Sequence, residues 1–467
     1  MGRIERGGQR AHRQTGQQPN IIHFHRVSTS SEPYESCSRT STQTVGQDDA
    51  RVNWEGTEHQ LTKEQVVRYS RQIILPSFGA QAQSRLCNSS VLIIGAGGLG
   101  SPVAMYLAAA GVGRLGIADR DAVELNNLHR QIAHRESTVG IHKCDSAGLT
   151  CRSINSSIQV EMYKDGFNQQ IAMELASCFD VIVDATDNAP SRYLISDACV
   201  LAGKPLVSGA AIGTDGQLTV YNHGPDGPCY RCLFPEAPEP QSCSSCSDAG
   251  VLGVVPGIIG SLQALEAIKL ASGVGRPLSR SLLLFDALAG RFTTVKLRQR
   301  MPSCIVCGTS PRITAESLLS YSYATFTGAP SHDAGPAPLE LLAPIQRVTA
   351  AELHKWVTSD SVSIVDVRPE AQFSIAHIPG STNLPFSEAK PQAFDEHIEL
   401  MRQRVRDAAI DTGDDSLHPA VCVVCRRGND SQRVVDLLVA NGVNDVVDLA
   451  GGLEAWARES GVDFPHY

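Results

Sequence analysis

The sequence predicts an α/β protein with two successive domains, and three observations support this expectation. Short apolar runs alternate with helix-compatible stretches, first from Val91 and again from Val348, as in mainly parallel sheets. A glycine-rich segment, VLIIGAGGLG, opens the first series, and a cysteine-headed loop, CRRGNDSQ, lies in the second. The chain has 467 residues, which favours about three folding units.

Composition narrows the class of protein. The hydrophobic fraction of 42% and the charged fraction of 19% are ordinary for a globular protein. The net charge of −9 provides no basic field, so we expect no direct nucleic-acid contact and no membrane association. We also expect no membrane span, because no apolar run approaches the roughly 18 to 20 residues required. The N-terminus lacks the apolar core of a secretion signal, and we expect a cytosolic protein.

The chain divides by composition into four parts. Residues 1–55 are polar and arginine-containing, which favours a disordered N-terminal tail over a transit peptide. Residues 56–309 form the first predicted domain, and a helix starts near Leu61 with Thr62 as its cap and Gln65 three residues on. Residues 310–346 are a predicted linker rich in Gly, Ala, Pro and Ser. Residues 347–467 are long enough to form a smaller α/β domain.

The predicted strands of the first domain are VLIIGAG, RLGIAD, IQVEMY, DVIVDAT and KPLVSGA, which we expect to form a mainly parallel sheet with helices on both faces. QLTVYN and LLLFDA add later strands that we expect to be antiparallel. In the second domain, VSIVDVR, AVCVVC and DVVDLAG are the predicted strands.

The glycine-rich segment predicts a nucleotide site. It follows a strand and precedes a helix-compatible stretch from Ser101 to Ala110, so the backbone can approach a phosphate at a helix N-terminus. Asp119 ends the next strand, where a carboxylate can bind ribose hydroxyls. Basic residues in the flanking segments favour a triphosphate over a nicotinamide cofactor, and an acid after DVIVDAT can hold Mg²⁺. The absence of a Walker glycine-lysine loop means that ATP would be held differently from a P-loop enzyme.

Five segments resemble the E1-like adenylating enzymes of the MoeB and ThiF type: RYSRQIILPSFG, GAGGLGSP, ADRDAVELNNLHRQ, DATDN and CYRC. The resemblance runs from Leu61 to Thr309 and implies a Rossmann-like domain that acts as a homodimer. It implies that Arg71 reaches the partner's ATP, that Arg130 and Lys143 contact phosphates, and that Asp187 lies near Mg²⁺. The full set of implied ATP-binding residues is Gly97, Gly98, Asp119, Asn126, Asn127, Leu128, His129, Arg130, Lys143, Asp187, Asn188 and Arg71.

The implied reaction is physically reasonable for such a site. A carboxylate is a poor electrophile, and its attack on the α-phosphate of ATP converts it into an acyl-adenylate with a good leaving group. The site must neutralise spreading negative charge, which fixed cations and a metal ion can do.

Two CxxC pairs, Cys229 with Cys232 and Cys304 with Cys307, can supply four thiolates to a tetrahedral zinc ion. Their wide separation leaves a redox dithiol at one pair as an alternative. The family pattern has both pairs at these places and implies one structural zinc per chain. It also places a mobile-loop cysteine nucleophile at Cys246. A further CxxC, from Cys243 to Cys246, leaves a metal knuckle or a disulfide as rival interpretations.

Cys425 follows the strand AVCVVC and precedes a helical segment, so backbone N–H groups at a helix N-terminus would surround its sulfur. We expect this environment to lower the pKa of the thiol and to suit an anionic persulfide. A cysteine phosphatase would have an arginine six residues after the cysteine; here that residue is Ser431. The carboxylate of Asp430 would repel thiosulfate, so we expect a protein persulfide, from a cysteine desulfurase, as the sulfur source.

VDVRPEAQFSIAHIPGSTNLP and GGLEAWARESG resemble rhodanese-like sulfurtransferases, in which Cys425 would carry the persulfide. In that pattern Asp366, Arg368 and His377 are structural.

Together the two halves resemble the eukaryotic two-domain adenylyltransferases and sulfurtransferases. This resemblance implies ATP-dependent adenylation of the C-terminal glycine of ubiquitin-like sulfur carriers, such as the small subunit of molybdopterin synthase and Urm1-like proteins. Thiocarboxylate formation would then serve molybdenum cofactor biosynthesis and the 2-thiolation of tRNA wobble uridine. A conjugating E1 without sulfur transfer and a noncatalytic scaffold remain alternatives.

Overall fold

The computed structural model describes residues 59–237, 250–328, 338–359, 362–386, 403 and 421–465 of the chain. Its strands form two sheets, one of eight strands and one of five. The first lies within the first predicted domain and the second within the smaller one, which confirms the expected α/β architecture.

The eight-stranded sheet has the order β3-β2-β1-β4-β5-β6-β7-β8. The first five strands in this order, from β3 through β2, β1 and β4 to β5, pair in parallel. Strands β5 to β8 pair antiparallel, as expected for the later strands. Strand β8 was not expected from the sequence, because RFTTVK is fully exposed and has no buried apolar face. The strands are β1 (Ser90–Ile94), β2 (Arg114–Ala118), β3 (Gln159–Tyr163), β4 (Val181–Asp184), β5 (Leu206–Ile212), β6 (Asp215–Tyr221), β7 (Ser281–Asp286) and β8 (Arg291–Lys296).

The first domain carries helices α1 (Lys63–Arg68), α2 (Ser70–Ile73), α3 (Gly79–Cys87), α4 (Gly100–Ala110), α5 (Lys143–Ile154), α6 (Ala172–Cys178), α7 (Ala189–Leu201), α8 (Tyr230–Leu233) and α9 (Val254–Ser272). The expected cap of α1 is present: Thr62 accepts from the Gln65 N–H at 3.2 Å, and the Gln65 side chain accepts from the Thr62 N–H at 2.9 Å. This reciprocal pair satisfies two N–H groups that the helix itself leaves open.

Helices cover both faces of the first sheet, as the alternating strand pattern requires. Val91 and Ile93 of β1 pack with Leu107 of α4, whereas Leu92 and Ile94 belong to a separate cluster with Ile195 of α7. Because successive side chains of a strand point to opposite faces, β1 is buried on both sides. Its glycine-rich end is therefore held between two packed layers.

Helix α9 corrects the expectation that no apolar run approaches membrane-spanning length. It has 19 residues and a mean hydropathy of 1.4, long and apolar enough to cross a membrane by length and composition. In the fold it contacts α4, β5 and β6, and it carries the buried polar side chains of Gln263 and Glu266. Buried helices of soluble proteins pass the same test of length and composition.

The five-stranded sheet has the order β11-β10-β12-β13-β9, and all its strands are parallel. The three expected strands are present, and the two that were not expected, β9 and β11, have only two residues each. The elements are β9 (Arg347–Val348), β10 (Ser363–Asp366), β11 (Thr382–Asn383), β12 (Val421–Val424) and β13 (Val446–Leu449). Its helices, with those of the preceding segment, are α10 (Ala315–Leu318), α11 (Tyr323–Thr327), α12 (Ala350–Thr358), α13 (Glu370–Phe373), α14 (Asp430–Ala440) and α15 (Gly452–Glu459).

The predicted linker, residues 310–346, contains structure at both ends. Helices α10 and α11 contact α7 of the first domain. The Tyr323 hydroxyl donates to Asp197 at 2.9 Å, and Asp197 also forms a buried ion pair with Arg231 at 2.9 Å. The first domain therefore continues through this segment, which periodicity alone did not reveal because both helices are very short.

Candidate functional site

The glycine-rich loop joins β1 to α4 and leaves an open surface at Gly97. A Cβ added to Gly97 would meet only the Gln131 side chain, at 3.7 Å, so the protein itself does not require glycine there. By contrast, a Cβ on Gly100 would lie 1.8 Å from the Gly95 carbonyl oxygen, which makes that glycine necessary for strand-helix packing. The free space at Gly97 fits a ligand that approaches the backbone closely.

This loop borders a cavity of about 900 Å³ at the carboxyl ends of the parallel strands. Most of the predicted nucleotide residues line it: Gly97, Gly98, Asp119, Asn126, Asn127, His129, Arg130, Lys143, Asp187 and Asn188. The sequence therefore located one shared site from segments that are far apart in the chain.

Two predicted residues do not line this cavity. Leu128 is half-buried beside it, and Arg71 is exposed on α2. The resemblance implies that Arg71 acts in the nucleotide site of a partner chain, and this role stays a prediction.

Lys143 and two carboxylates form the charged wall of the cavity. Lys143 Nζ donates to Asp121 Oδ2 at 2.8 Å. Asp119 accepts from the Ala96 N–H at 2.7 Å and from the Asp121 N–H at 2.9 Å, so it also fastens β2 to the glycine-rich loop. Burial raises the pKa of Asp119, and the nearby Lys143 lowers it. A phosphate entering here would compete with Asp121 for the lysine.

The cavity contains two buried acceptor atoms, one on the predicted residue Asn127 and one on Gln131, which sequence reasoning missed. Asn127 Oδ1 and Gln131 Oε1 are buried and have no hydrogen-bond partner within the described protein. Both residues line the cavity, so a hydroxyl or amino group of a ligand could satisfy them. Gln131 directly follows the predicted residue Arg130 in the segment NNLHRQ, and this position could have identified it as a cavity residue.

Asn188 and its neighbours shape the β4 edge of the cavity. The Asn188 side chain caps α7 by accepting from the Ser191 N–H at 3.0 Å, while Asp187 is exposed to the cavity. Arg192, another lining residue that was not predicted, donates to the Thr186 carbonyl at 2.8 Å. Asp187 is thus an exposed carboxylate at this edge that a divalent cation could reach.

The two CxxC pairs come together as one four-sulfur cluster. The sulfur atoms of Cys229, Cys232, Cys304 and Cys307 all lie within 4.8 Å of one another. The closest pairs are 3.3 Å (Cys232 to Cys307), 3.5 Å (Cys229 to Cys304) and 3.7 Å (Cys229 to Cys232). Tetrahedral zinc with Zn–S bonds of about 2.3 Å requires sulfur separations of about 3.8 Å, so these residues fit the ion.

The cluster does not line the nucleotide cavity, and it joins the turns after β8, which carry Cys304 and Cys307, to the start of α8. All four cysteines are free thiols. Mutual hydrogen bonds raise the pKa of Cys229 and lower that of Cys304, as expected when sulfurs crowd around shared protons. Cys246, the predicted nucleophile, and its rival Cys243 lie outside the described residues.

Cys425 lies at the end of β12, before α14, with its sulfur enclosed by the expected loop. Its Sγ accepts from the Gly428 N–H at 3.1 Å and from the Ser431 N–H at 3.3 Å. Its thiol donates to Ser431 Oγ at 3.3 Å, and the residue is only 3% exposed. The predicted backbone cradle is therefore present.

The expectation that the backbone N–H groups lower the pKa of Cys425 was wrong. Burial raises the pKa of this thiol more than the hydrogen bonds from Ser431 and Gly428 lower it, and the nearby Asp430 carboxylate raises it further. Removal of a sulfur from water disfavours the thiolate, and neutral donors do not fully offset that cost.

The loop is supported from outside by residues of the predicted linker. Leu339 N–H donates to Asn429 Oδ1 at 2.9 Å, and Leu341 N–H donates to Gln432 Oε1 at 3.1 Å. Gln432 in turn donates to the Gly428 carbonyl at 2.7 Å. The end of the predicted linker thus helps to hold the Cys425 loop.

Two arginines of the loop share one carboxylate. Arg426 Nε and Arg427 Nε lie 3.1 Å and 3.2 Å from Glu454 Oε1 on α15. Arg426 also lines the nucleotide cavity, whereas Arg427 does not. The residue that follows Cys425 thus lines the cavity predicted to hold ATP.

The residues expected to be structural in the second domain make internal contacts. Arg368 and Asp366 form a buried ion pair at 2.6 Å. His377 stacks on Phe373 with ring centroids 4.0 Å apart. These contacts agree with a structural role.

Comparison with known proteins adds a family context. The ThiF family model matches residues 69–306, and the rhodanese-like domain model matches residues 349–459. The chain is 48% identical to the adenylyltransferase and sulfurtransferase MOCS3 of Arabidopsis thaliana, over 88% of this chain and 87% of that protein. It is 50% identical to MOCS3-1 of Zea mays over 87% and 84% of the two chains, and 43% identical to MOCS3 of Sus scrofa over 87% and 89%.

Among solved structures, Escherichia coli MccB with MccA-N7isoASN has a TM-score of 0.47 and 23% identity, covering 52% of this chain and 75% of that one. This similarity is too low for any property of MccB to be transferred.

Proposed function

This chain belongs to the ThiF family and to the family of two-domain adenylyltransferases and sulfurtransferases, and we propose that it makes a protein thiocarboxylate. Its enzyme class, adenylyltransferase and sulfurtransferase, follows from this membership, and so does a ubiquitin-like carrier as the protein that it activates. The C-terminal glycine of that carrier would lose one oxygen and gain one sulfur.

The first step is adenylation in the nucleotide cavity. The carrier carboxylate attacks the α-phosphate of ATP, and pyrophosphate leaves. Lys143 and Arg130 would neutralise the phosphate oxygens, and Asp187 would hold the Mg²⁺ that accompanies ATP and offsets its charge. Asn127 and Gln131 accept hydrogen bonds from the nucleoside, because their buried oxygens need donors.

The second step is sulfur transfer from Cys425. The terminal sulfur of its persulfide attacks the acyl carbon, AMP leaves, and an acyl disulfide forms. A second thiol then attacks the Cys425 sulfur of this disulfide and releases the thiocarboxylate. Cys246 or an external thiol performs this release, which leaves a disulfide to be reduced.

Several finer assignments belong to the same proposal. A structural zinc ion held by Cys229, Cys232, Cys304 and Cys307 would fasten α8 to the end of the adenylation domain. The exposed Arg71 would reach the nucleotide of a second copy in a homodimer. The Asp430 carboxylate favours a protein persulfide, from a cysteine desulfurase, over thiosulfate.

We place the product in molybdenum cofactor biosynthesis and tRNA wobble-uridine thiolation, in the cytosol. Thiolate and persulfide chemistry suits a reducing compartment, which supports the location. The resemblance of both halves to enzymes of these pathways supports the assignment.

One observation carries the proposal: Arg426 lines the nucleotide cavity, and the residue before it is Cys425. A conjugating E1 has no use for a sulfur carrier beside its adenylation site. A noncatalytic scaffold has no use for unpaired acceptors in a cavity with phosphate-binding cations.

The test is mass spectrometry of a ubiquitin-like carrier after incubation with the enzyme, ATP, Mg²⁺ and a persulfide donor. We expect a gain of 16 Da at the carrier C-terminus, the difference between about 32 for sulfur and about 16 for oxygen. Carrier-dependent pyrophosphate exchange without this gain would indicate a conjugating E1. Absence of both would indicate a scaffold.

A further inference from the structure

Among the described residues, the hydrogen-bond partners of the Cys425 sulfur are all uncharged. Its partners are two backbone N–H groups and the Ser431 hydroxyl, and burial raises the pKa of the thiol. Nevertheless, this thiol must lose its proton before it can take sulfur from a donor, because the thiolate is the nucleophile. A path for that proton is therefore required.

The described contacts contain such a path. The Cys425 thiol donates to Ser431 Oγ at 3.3 Å, and the Ser431 hydroxyl donates to Asp448 Oδ2 at 3.4 Å. Asp448 lies at the end of β13 and is fully buried. The second contact is long, but catalytic hydrogen bonds are often long before the substrate binds.

Asp448 is oriented by a third group. Arg347 on β9 contacts it through Nε to Oδ1 at 2.9 Å and Nη2 to Oδ2 at 3.3 Å. The arrangement has the logic of other nucleophilic sites: a nucleophile, a proton acceptor within reach, and a residue that fixes the acceptor. Burial raises the pKa of Asp448 even though Arg347 lowers it, which makes this carboxylate a better acceptor.

We propose that Ser431 and Asp448 form a proton relay that makes Cys425 nucleophilic during sulfur loading. The S–H bond of Cys425 breaks, Ser431 Oγ takes that proton, and the Ser431 hydroxyl proton passes to Asp448. The thiolate then attacks the terminal sulfur of a donor persulfide, a new S–S bond forms, and the donor leaves as a thiolate. Ser431 touches the reacting sulfur, Asp448 receives the proton through Ser431, and Arg347 is the positioning residue that holds Asp448.

Other ionisable groups surround the relay. Asp430 raises the pKa of Cys425, and the buried Cys422 thiol lies close enough to Asp448 for its own pKa to be raised by it. Arg426 and Arg427 contact Glu454. These groups set the electrostatic potential around the Cys425 sulfur, whereas the contacts of Ser431 provide the path for the proton.

The test measures the rate of sulfane sulfur loading onto Cys425 from glutathione persulfide between pH 5.5 and 9.5. The full-length protein is used, and the modified peptide is quantified by mass spectrometry. Ser431→Ala and Asp448→Asn should load about tenfold more slowly at pH 7, with the deficit shrinking toward pH 9.5 as hydroxide replaces the relay. Ser431→Thr retains the hydroxyl and should load near the wild-type rate.

The pH profile separates this role from others. A merely structural role would lower the rate equally at every pH. A merely electrostatic role of Asp448 would speed loading in Asp448→Asn, because loss of a nearby negative charge favours the thiolate. Either result, or wild-type behaviour of Ser431→Ala, overturns the relay.

Two features keep the test decisive. Ser431→Ala leaves the buried pair of Arg347 and Asp448 intact, so it reports even if Asp448→Asn does not fold. The inference rests on the proposal that Cys425 carries sulfur, which fails separately if the wild-type protein acquires no sulfur on Cys425.

Discussion

The nucleotide cavity and the Cys425 loop are both built on a turn from a strand to a helix, but charged side chains line the cavity, whereas uncharged groups contact the Cys425 sulfur. Both lie where a parallel strand, β1 or β12, turns into a helix, α4 or α14. The cavity is large and lined by charged side chains such as Lys143 and Arg130. Cys425 is 3% exposed, and the hydrogen-bond partners of its sulfur among the described residues are uncharged.

This difference fits the two ligands that we propose. A triphosphate carries several charges, which fixed cations and Mg²⁺ would neutralise as they shift. A single sulfur would need protection from water and other thiols, and neutral donors would hold it without pairing it permanently. On this proposal, the same fold element supports leaving-group activation in one domain and sulfur storage in the other.

The largest expected effect comes from removing a cation of the cavity. Lys143→Ala should lower carrier-dependent pyrophosphate exchange by about 100-fold, because its ammonium is then missing from the phosphates in the transition state. Sulfur loading onto Cys425 should be unchanged.

The matched control for Lys143 is Lys164→Ala. Lys164 also pairs with a carboxylate, Asp145, at 2.8 Å, but it does not line the cavity. Equal losses in the two variants would show that exchange depends on general surface charge and would contradict the assigned site.

The four-cysteine cluster should determine the metal content and the stability of the first domain. Cys304→Ser should reduce bound zinc from one ion per chain to none, as measured by plasma mass spectrometry. Its melting temperature should fall, because metal binding energy contributes directly to folding. Cys87→Ser, which changes a half-buried thiol outside the cluster, should keep its zinc. Full zinc content in Cys304→Ser would argue against the proposed ligand set.

The two loop arginines should differ, although they share Glu454. Arg426→Ala should weaken AMP binding by about fivefold, measured by calorimetry, because a partly exposed cation is worth about 1 kcal/mol to a phosphate. Arg427→Ala should bind AMP as the wild-type protein does, because Arg427 does not line the cavity. Equal affinities in both variants would mean that the sulfur domain contributes nothing to the nucleotide site.

The smallest expected effect concerns Asp430. Its charge raises the pKa of Cys425, so Asp430→Asn should lower that pKa and shift the pH profile of Cys425 alkylation toward acid. The rate at pH 7 should rise roughly threefold, and thiosulfate turnover should also rise. Asp436→Asn, on the same helix, is the control. An unshifted profile together with unchanged thiosulfate turnover would remove Asp430 as a determinant of the sulfur donor.

The sequence was most informative where backbone geometry and residue type act together. The glycine-rich loop, Asp119 and the Cys425 cradle were predicted from strand-turn-helix patterns, and the structure contains them. The full set of cavity residues came from the resemblance to E1-like enzymes, and most of that set lines one cavity. The CxxC spacing indicated a possible zinc site, and the resemblance indicated that both pairs belong to it.

Other features depend on contacts that local patterns do not encode. The exposed strand β8 and the two-residue strands β9 and β11 lack periodicity. The proposed relay from Cys425 to Asp448 joins residues from two strands and one helix, and the raised pKa of Cys425 depends on how deeply the loop is covered. Such properties arise from tertiary packing, which a single sequence does not specify residue by residue.

The most direct test of the account is thiocarboxylate formation by Cys425→Ser in the presence of carrier, ATP, Mg²⁺ and persulfide donor. We predict that this variant retains carrier-dependent pyrophosphate exchange and yields no thiocarboxylate. A wild-type thiocarboxylate yield from Cys425→Ser would contradict the coupling of the two domains.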